Sequence, residues 1–387
     1  MKEGWEYKKL ADVALYSIGL TYKPSDVSEE GTIVLRSSNI QNDKLDLNDI
    51  VKVNCPIKES LYVQKDDILM CSRNGSSKLV GKVALIPEIE ERMTYGTFMM
   101  VIRSVYNPYL FYYFKSDNFR SQIKHGEANM INQITRYMLD DVYLYIPPLS
   151  EQKSIVDYLD AAFAKIDAMK ANAEKSLNEA KALFQASLKE MLEPKEGTRW
   201  STIGDLFETY SGGTPTKSNK EYYEGGTNPW LRSGEVCQKD IKETEMFITE
   251  KGLKESSAKY YPENTVVVAM YGATAAQVGI LRIKATSNQA VCGILPHKDF
   301  LPEFVYYWFC SIKDKLAAQA QGGAQPNISQ QKIKKVEIPI YSKTEQQSIV
   351  ATLDFLKSKV DRLQSNFEKI SQECDALKQA ILKQIFE

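Results

Sequence analysis

The sequence predicts an α+β protein made of two tandem copies of one unit, each a mixed globule followed by a long helix, the two helices pairing as an antiparallel coiled coil. Three observations carry this. Residues 150–160 (SEQKSIVDYLD) return as residues 344–354 (TEQQSIVATLD) with seven of eleven positions identical, where ordinary residue frequencies give roughly one match. After each copy of this segment the apolar residues recur every third or fourth position for about 40 residues, the period of a helix buried along one stripe. The rest holds short runs rich in β-branched residues, broken by turn residues, which is the pattern of strands.

The repeat extends beyond its best segment. Trp5 opens WEYKKLADV and Trp200 opens WSTIGDLFE; Leu35-Arg36-Ser37 corresponds to Leu231-Arg232-Ser233. Pro108 with Tyr112-Tyr113 corresponds to Pro302 with Tyr306-Tyr307, and Gly126-Glu127-Ala128 to Gly322-Gly323-Ala324. The offset stays between 194 and 198, so small loop insertions account for it. The expected divisions are a first globule at 1–147, a central helix at 148–193, a second globule at 194–341 and a final helix at 342–387.

Within the globules, strands are expected at Thr32–Leu35, Asp67–Met70, Val83–Ile86 and Thr265–Ala269. Asn74-Gly75 and Gly212-Gly213-Thr214-Pro215 read as turns. A short helix is expected around Tyr109–Phe119, with a counterpart around Glu303–Lys313. In the final helix the stripe runs Ile349, Leu353, Leu356, Val360, Leu363, Phe367, Ile370, Cys374, Leu377, Ile381, alternating steps of four and three. That is a heptad seam, and Thr344 with Gln347 fits a capping box at its start. In the central helix the stripe is Ile155, Leu159, Ala162, Ile166, Met169, Ala173, Leu177, Ala180, Phe184, Leu188, Met191. Two double steps of four interrupt it, which locally unwinds a coiled coil, and Pro194 and Gly197 end it. A helix of about 40 residues spans roughly 60 Å, longer than a globule of this size is wide, so the two stripes are expected to cover each other.

Composition narrows the function. A net charge of −1 over 387 residues is too low for a protein held to nucleic acid by non-specific phosphate attraction alone. Any DNA contact must come from local clusters or from a partner. The 22 tyrosines suit interfaces and base edges, or simply sheet surfaces. The six cysteines form no C-x-x-C pair and are expected as buried free thiols in a reducing compartment. The start of the chain has no apolar signal region, and no apolar run approaches the roughly 20 residues of a membrane span, so a cytoplasmic location is expected.

Catalytic motifs are missing. Asn107-Pro108-Tyr109 and Asn228-Pro229-Trp230 only echo the Asn/Asp-Pro-Pro-aromatic loop of amino-methyltransferases and read as helix-entry or turn residues. Neither a P-loop nor a G-x-G-x-x-G turn occurs. His125 and His297 stand without metal-ligand spacing around them. No catalytic residue and no metal site are expected.

The plan resembles the specificity subunits of Type I restriction-modification systems. The resemblance rests on Pro147-Pro148-Leu149-Ser150-Glu151-Gln152 leading into the central helix and on Pro339 through Thr344-Glu345-Gln346-Gln347 leading into the final one. Ser211-Gly212-Gly213-Thr214-Pro215 and Gly323-Ala324-Gln325-Pro326-Asn327-Ile328 are similar to that family's second target-recognition domain. The first copy departs from it, with Gly19-Leu20-Thr21-Tyr22-Lys23-Pro24 in place of the Gly-Gly-Thr-Pro turn. The resemblance implies two target-recognition domains, each reading half of a bipartite site in double-stranded DNA, with the coiled coil setting the spacing. It also implies two methyltransferase (modification) subunits and further restriction (endonuclease/translocase) subunits as partners. S-adenosylmethionine, ATP and magnesium would then belong to those partners. Two other readings stay open: a self-contained DNA methyltransferase or nuclease with its own recognition domains, and a coiled-coil scaffold that binds no DNA.

Base reading needs Arg, Lys, Asn, Gln, Ser or Thr on firmly held loops. The candidates are Arg73, Asn74, Ser76, Ser77 and Lys78 in the first copy, with Tyr271, Thr274 and Gln277 on the counterpart loop. Lys217, Asn219 and Lys220 combine cations with an amide, and Arg36 and Arg232 recur in register.

Overall fold

The computed structural model describes residues 4–123, 133–318 and 327–387. His125, Gly126–Ala128, Gly322–Ala324, Gln325 and Pro326 lie outside the described residues. The chain forms two compact units. The first comprises residues 1–173 with 367–387, and the second residues 174–366. The central helix, Leu149–Leu192, and the final helix, Lys343–Phe386, are each divided between them.

In the first unit the two ends of the globule meet. Glu6–Lys9 pairs antiparallel with Tyr143–Ile146, the strand that runs into the central helix. A six-stranded sheet follows the order Leu15–Ile18, Met99–Arg103, Ile68–Cys71, Val83–Leu85, Lys44–Leu45, Ile40–Gln41. A four-stranded sheet has the order Met93–Tyr95, Thr32–Leu35, Val51–Val53, Val27–Ser28.

The second unit repeats the plan with fewer edge strands. Arg199–Thr202 pairs with Glu337–Ile340. Thr209–Ser211, Val291–Ile294, Val266–Ala269, Val278–Leu281 and Asp240–Ile241 form a five-stranded sheet, and Phe247–Ile248, Asn228–Leu231 and Thr286–Ser287 a three-stranded one. The closing two-stranded sheets explain why the repeat is clearest at the unit ends: those ends pair with each other and carry the helices.

The central strands show why they read as unbroken apolar runs. Successive side chains point to opposite faces of a strand. Ile68 and Met70 join the core beneath the helices, while Leu69 and Cys71 join the core between the sheets. Val266 and Val268 face one way in the second unit, and Val267 and Ala269 the other. The single short helix expected near Tyr109–Phe119 is two helices, Asn107–Tyr113 and Asp117–Ile123. Ser116 separates them, its hydroxyl donating to the Tyr113 carbonyl (2.7 Å) and accepting from the Phe119 N–H (3.3 Å).

The repeated Glu-Gln motif fastens each long helix to its globule. The Gln152 amide is buried and donates to the Pro147 carbonyl at 2.8 Å. Gln346 is buried too; its amide donates to the Tyr341 and Asp299 carbonyls at 2.9 Å and accepts from the Leu301 N–H at 2.8 Å. A buried amide must find such partners or cost free energy. Two turns further on, the Tyr112 hydroxyl donates to Asp160, and the Tyr307 hydroxyl to Asp354. Burial, then the adjoining carboxylate, pushes both phenols up.

Antiparallel pairing of the helices is visible inside each unit. In the first, Asp167 meets Lys378 (2.6 Å) and Lys170 meets Asp375 (3.6 Å), so partner numbers fall as the other helix rises. In the second, Lys181 donates to Gln364 (2.9 Å), and Phe184, Leu188 and Leu192 share a core with Leu353 and Val360. Three expectations are corrected here. The capping box is Ser342 with Glu345, not Thr344 with Gln347: the Ser342 hydroxyl accepts from the Glu345 N–H (3.3 Å), and the Glu345 carboxylate accepts from the Ser342 N–H (2.9 Å). The Ser342 hydroxyl also donates to the Glu345 carboxylate (2.7 Å), and this bond, with that from the Ser342 N–H, holds the Glu345 carboxyl below its usual range. Met169 and Leu377 are exposed, and Lys378 beside Leu377 is the more covered side chain, its ammonium near the Phe163 ring (5.1 Å) and the Asp167 carboxylate. Cys237 is exposed rather than buried.

Candidate nucleic-acid interface

In both units the loop that leaves the central strand is anchored in the same way. Ser72 follows Ile68–Cys71, and its carbonyl accepts from the Ile134 N–H at 2.7 Å; Met270 follows Val266–Ala269, and its carbonyl accepts from the Ile328 N–H at 2.8 Å. The next residues, Arg73 and Tyr271, form isolated bridges with Gln133 and Asn327. The structure therefore superposes Arg73 on Tyr271, at an offset four residues greater than that of their bridge partners.

The Arg73 loop is held locally. The Asn74 side chain accepts from the Ser76 N–H (3.0 Å) and donates to Ser37 (3.2 Å). Ser37 follows Arg36, so the structure brings the Arg36 turn to the Arg73 loop. Arg73, Ser76, Ser77 and Lys78 are exposed, and neither Arg73 nor Lys78 forms an ion pair among the described residues. The second loop is tighter. Gly272 and Ala276 both have positive φ (73° and 66°), which for alanine is uncommon. The Thr274 hydroxyl donates to the Tyr271 carbonyl (3.4 Å), and the Gln277 N–H to the Thr274 carbonyl (2.9 Å). Tyr271 is exposed and presents a phenol where the first unit presents a guanidinium.

Lys217 lies on a third loop, exposed and without an ion pair among the described residues. Asn219 turns its side chain inward to the Glu221 N–H (3.1 Å), capping a short helical turn, and Lys220 lies 3.6 Å from Glu224. Glycine sets the start of this loop. A Cβ on Gly212 would stand 2.2 Å from the Ser287 carbonyl oxygen, and one on Gly19 2.2 Å from that of Tyr95. The backbone bonds also correspond: Gly19 donates to Met99 and Leu20 to Tyr95, while Gly212 donates to Val291 and Gly213 to Ser287. The first unit thus keeps the turn and differs by the Leu20 side chain.

Arg36 and Arg232 are engaged within the protein. Arg36 donates to Asp49 at 2.9 Å. Arg232 pairs with Glu235 at 3.2 Å and with Glu245. His297 packs its ring against Phe207 and Phe300 and accepts from the Asp299 N–H at 3.2 Å, a structural setting. Among the described residues no group of three His, Cys, Asp or Glu side chains is placed to hold a metal ion, and no helix is long and apolar enough to cross a membrane.

One residue escaped the sequence reading. Phe98 stands in the turn between Met93–Tyr95 and Met99–Arg103, beside Arg73, and is 55% exposed. It sits within a run of apolar residues, so nothing in the sequence separates it from the core around it.

Comparison with known proteins agrees with this duplicated architecture. The family described as Type I restriction modification DNA specificity domain matches twice, over residues 2–179 and 195–372. The EcoKI specificity subunit of Escherichia coli K12 is 25% identical, the match covering 100% of this chain and 89% of that protein. The EcoR124I/EcoR124II specificity subunit of Escherichia coli is 30% identical over 53% of this chain; the match spans about half of that relative's length, 52%. A chain solved in a study of complex assembly and conformational transition of the type I R-M system has the same fold, with a TM-score of 0.77 at 18% identity, covering 98% of this chain and 97% of that one. The two matches take in nearly all of the sequence, and the chain belongs to the Type I restriction modification DNA specificity domain family.

Proposed function

We propose that this chain is the sequence-reading subunit of a Type I restriction-modification complex, each unit reading one half of a bipartite site in double-stranded DNA. The observation that carries the reading is the duplication of the specificity domain, with a loop anchored alike in each unit and bearing different side chains, Arg73 in one and Tyr271 in the other. Different side chains on one scaffold suit the reading of two different half-sites. Catalysis belongs in this reading to partners: two methyltransferase subunits docked on the helical region, and restriction subunits that complete the nuclease. S-adenosylmethionine, ATP and magnesium go with those partners, and the complex works in the cytoplasm.

The test is methylation of a random-sequence DNA library by the chain together with its methyltransferase partner. A bipartite motif is expected, with no methyl transfer by the chain alone. Methyl transfer by the purified chain, or methylation without sequence preference, would overturn the reading. With a net charge of −1, the chain alone should bind DNA weakly and without selectivity.

The same assay assigns the loops. Arg73→Ala is expected to impair one half-site and Lys217→Ala the other, each by roughly 1–3 kcal/mol. Wild-type profiles for both variants would remove these loops from the interface. Spacing is tested by inserting four residues after Ala173, with a matching insertion in the final helix. Four residues lengthen a helix by roughly 6 Å and the DNA rise is about 3.4 Å per base pair, so the gap between half-sites should grow by one or two pairs. An unchanged gap at full activity would mean that the helices do not set the distance.

A further inference from the structure

A large apolar side chain at the tip of a rigid turn, next to a cation with no ion pair among the described residues, calls for a partner outside the protein. Phe98 is such a side chain. The strands on both sides of it are almost wholly buried, yet its own ring is 55% exposed. Its backbone is not free to move. The Phe98 carbonyl accepts from the N–H groups of Ser72 and Arg73 and from the Ser72 hydroxyl, all at 3.0 Å. The ring lies 6.0 Å from the Arg73 guanidinium carbon, which forms no ion pair among the described residues. In the second unit the corresponding carbonyl is that of Ala290, which accepts from the Met270 N–H at 2.8 Å. The two units thus keep the backbone arrangement and change the group at its tip: Phe with Arg in one, Ala with Tyr in the other.

We propose that Phe98 and Arg73 form a two-part base-reading element, resting on the DNA-reading function above. The ring makes apolar contact with the 5-methyl group of a thymine in the major groove, while the guanidinium reads the neighbouring base edge. Both contacts belong to the major-groove code: apolar side chains recognise the thymine methyl, and arginine pairs best with the O6 and N7 of guanine. Insertion of the ring between base pairs, the other use of an apolar side chain on DNA, would drive the adjoining guanidinium into the stack. The guanidinium standing 6.0 Å from the ring disfavours it. Apolar contact also explains the exposure, since the ring exchanges water for the methyl only when DNA is bound.

The experiment uses the chain in complex with its methyltransferase partner and duplexes carrying its methylation motif. The first half-site is the one whose recognition Arg73→Ala impairs. Each thymine of either half-site is replaced in turn by uracil, which lacks only the 5-methyl group. Wild-type binding is expected to weaken roughly fourfold at one thymine of the first half-site, the value of one buried methyl group. Phe98→Ala should bind thymine and uracil there equally, while uracil in the second half-site affects wild type and variant alike. The thermal transition of Phe98→Ala should match that of wild type, because an exposed ring adds little to the core. Three results would overturn the proposal: a first half-site with no thymine sensitive to the substitution, the same uracil effect in Phe98→Ala, or a uniform loss on both duplexes, which is the mark of insertion. Loss of all sequence preference in the wild-type complex would instead count against DNA reading itself.

Discussion

Replacing Phe386 by alanine is expected to destabilise the first unit by about 3–5 kcal/mol, the usual result of removing a buried aromatic ring. Phe386 is the last residue of the final helix, yet only 8% exposed. Its ring meets Tyr109 at 5.2 Å and Tyr113 at 5.6 Å between centroids. Cys374 and Leu382 enter the same core from the same helix. The end of the chain therefore closes the core of the unit that begins it. Hydrogen exchange is the suitable measurement, because a protein of two compact units need not unfold in one step. Protection of the helices Asn107–Tyr113 and Asp117–Ile123 should fall, while the strand Val266–Ala269 of the second unit keeps its own. Leu377→Ala, at an exposed position of the same helix, should change stability by no more than about 0.5 kcal/mol. Equal behaviour of the two variants would show that the helix end does not hold the first unit.

Arg103→Ala should be comparably severe, for an electrostatic reason. Asp67 is almost completely buried, and Arg103 grips both its oxygens, Nε donating at 2.7 Å and Nη2 at 2.5 Å. Nη2 also donates to the Tyr62 carbonyl at 3.2 Å, and the Gln64 N–H donates to Asp67 at 2.8 Å. The carboxylate in turn holds the guanidinium above its usual range. Removing one member of such a pair strands a buried charge, at a cost of about 3–5 kcal/mol. Arg103→Lys should recover little, since an ammonium cannot reproduce the two parallel bonds. The double variant Arg103→Met with Asp67→Leu should recover most of the loss, because an apolar pair leaves no buried charge behind. Chemical denaturation of the four proteins decides it; a mild Arg103→Ala, or a double variant worse than the single, would refute this account. The pair also bears on the proposed reading element. Arg103 ends the strand Met99–Arg103, and Phe98 stands just before its other end, so loss of the pair loosens the strand that supports the reading tip.

The sequence by itself determined the duplication, the α+β class and the two long helices, because each leaves a periodic trace. An identical segment at a fixed offset needs no contacts to be seen. A stripe with steps of three and four follows from 3.6 residues per turn. The Glu-Gln motif was legible as a marker, although its work, a buried amide binding carbonyls at the foot of each helix, appeared only in the fold. Details that depend on which neighbour lies closest were decided by tertiary structure. Met169 and Leu377 fit the stripe, but both are exposed, and Lys378, paired with Asp167, is covered instead. Arg36 and Arg232 repeat in register as reading residues would, yet their carboxylate partners lie up to 13 residues away in sequence. Phe98 is the clearest case. In sequence it is one apolar residue among many, and only the turn between two buried strands lifts its ring into solvent beside Arg73. Periodicity is a property of the chain and can be read from it, whereas exposure and pairing are set by contacts between distant segments, which no local pattern contains.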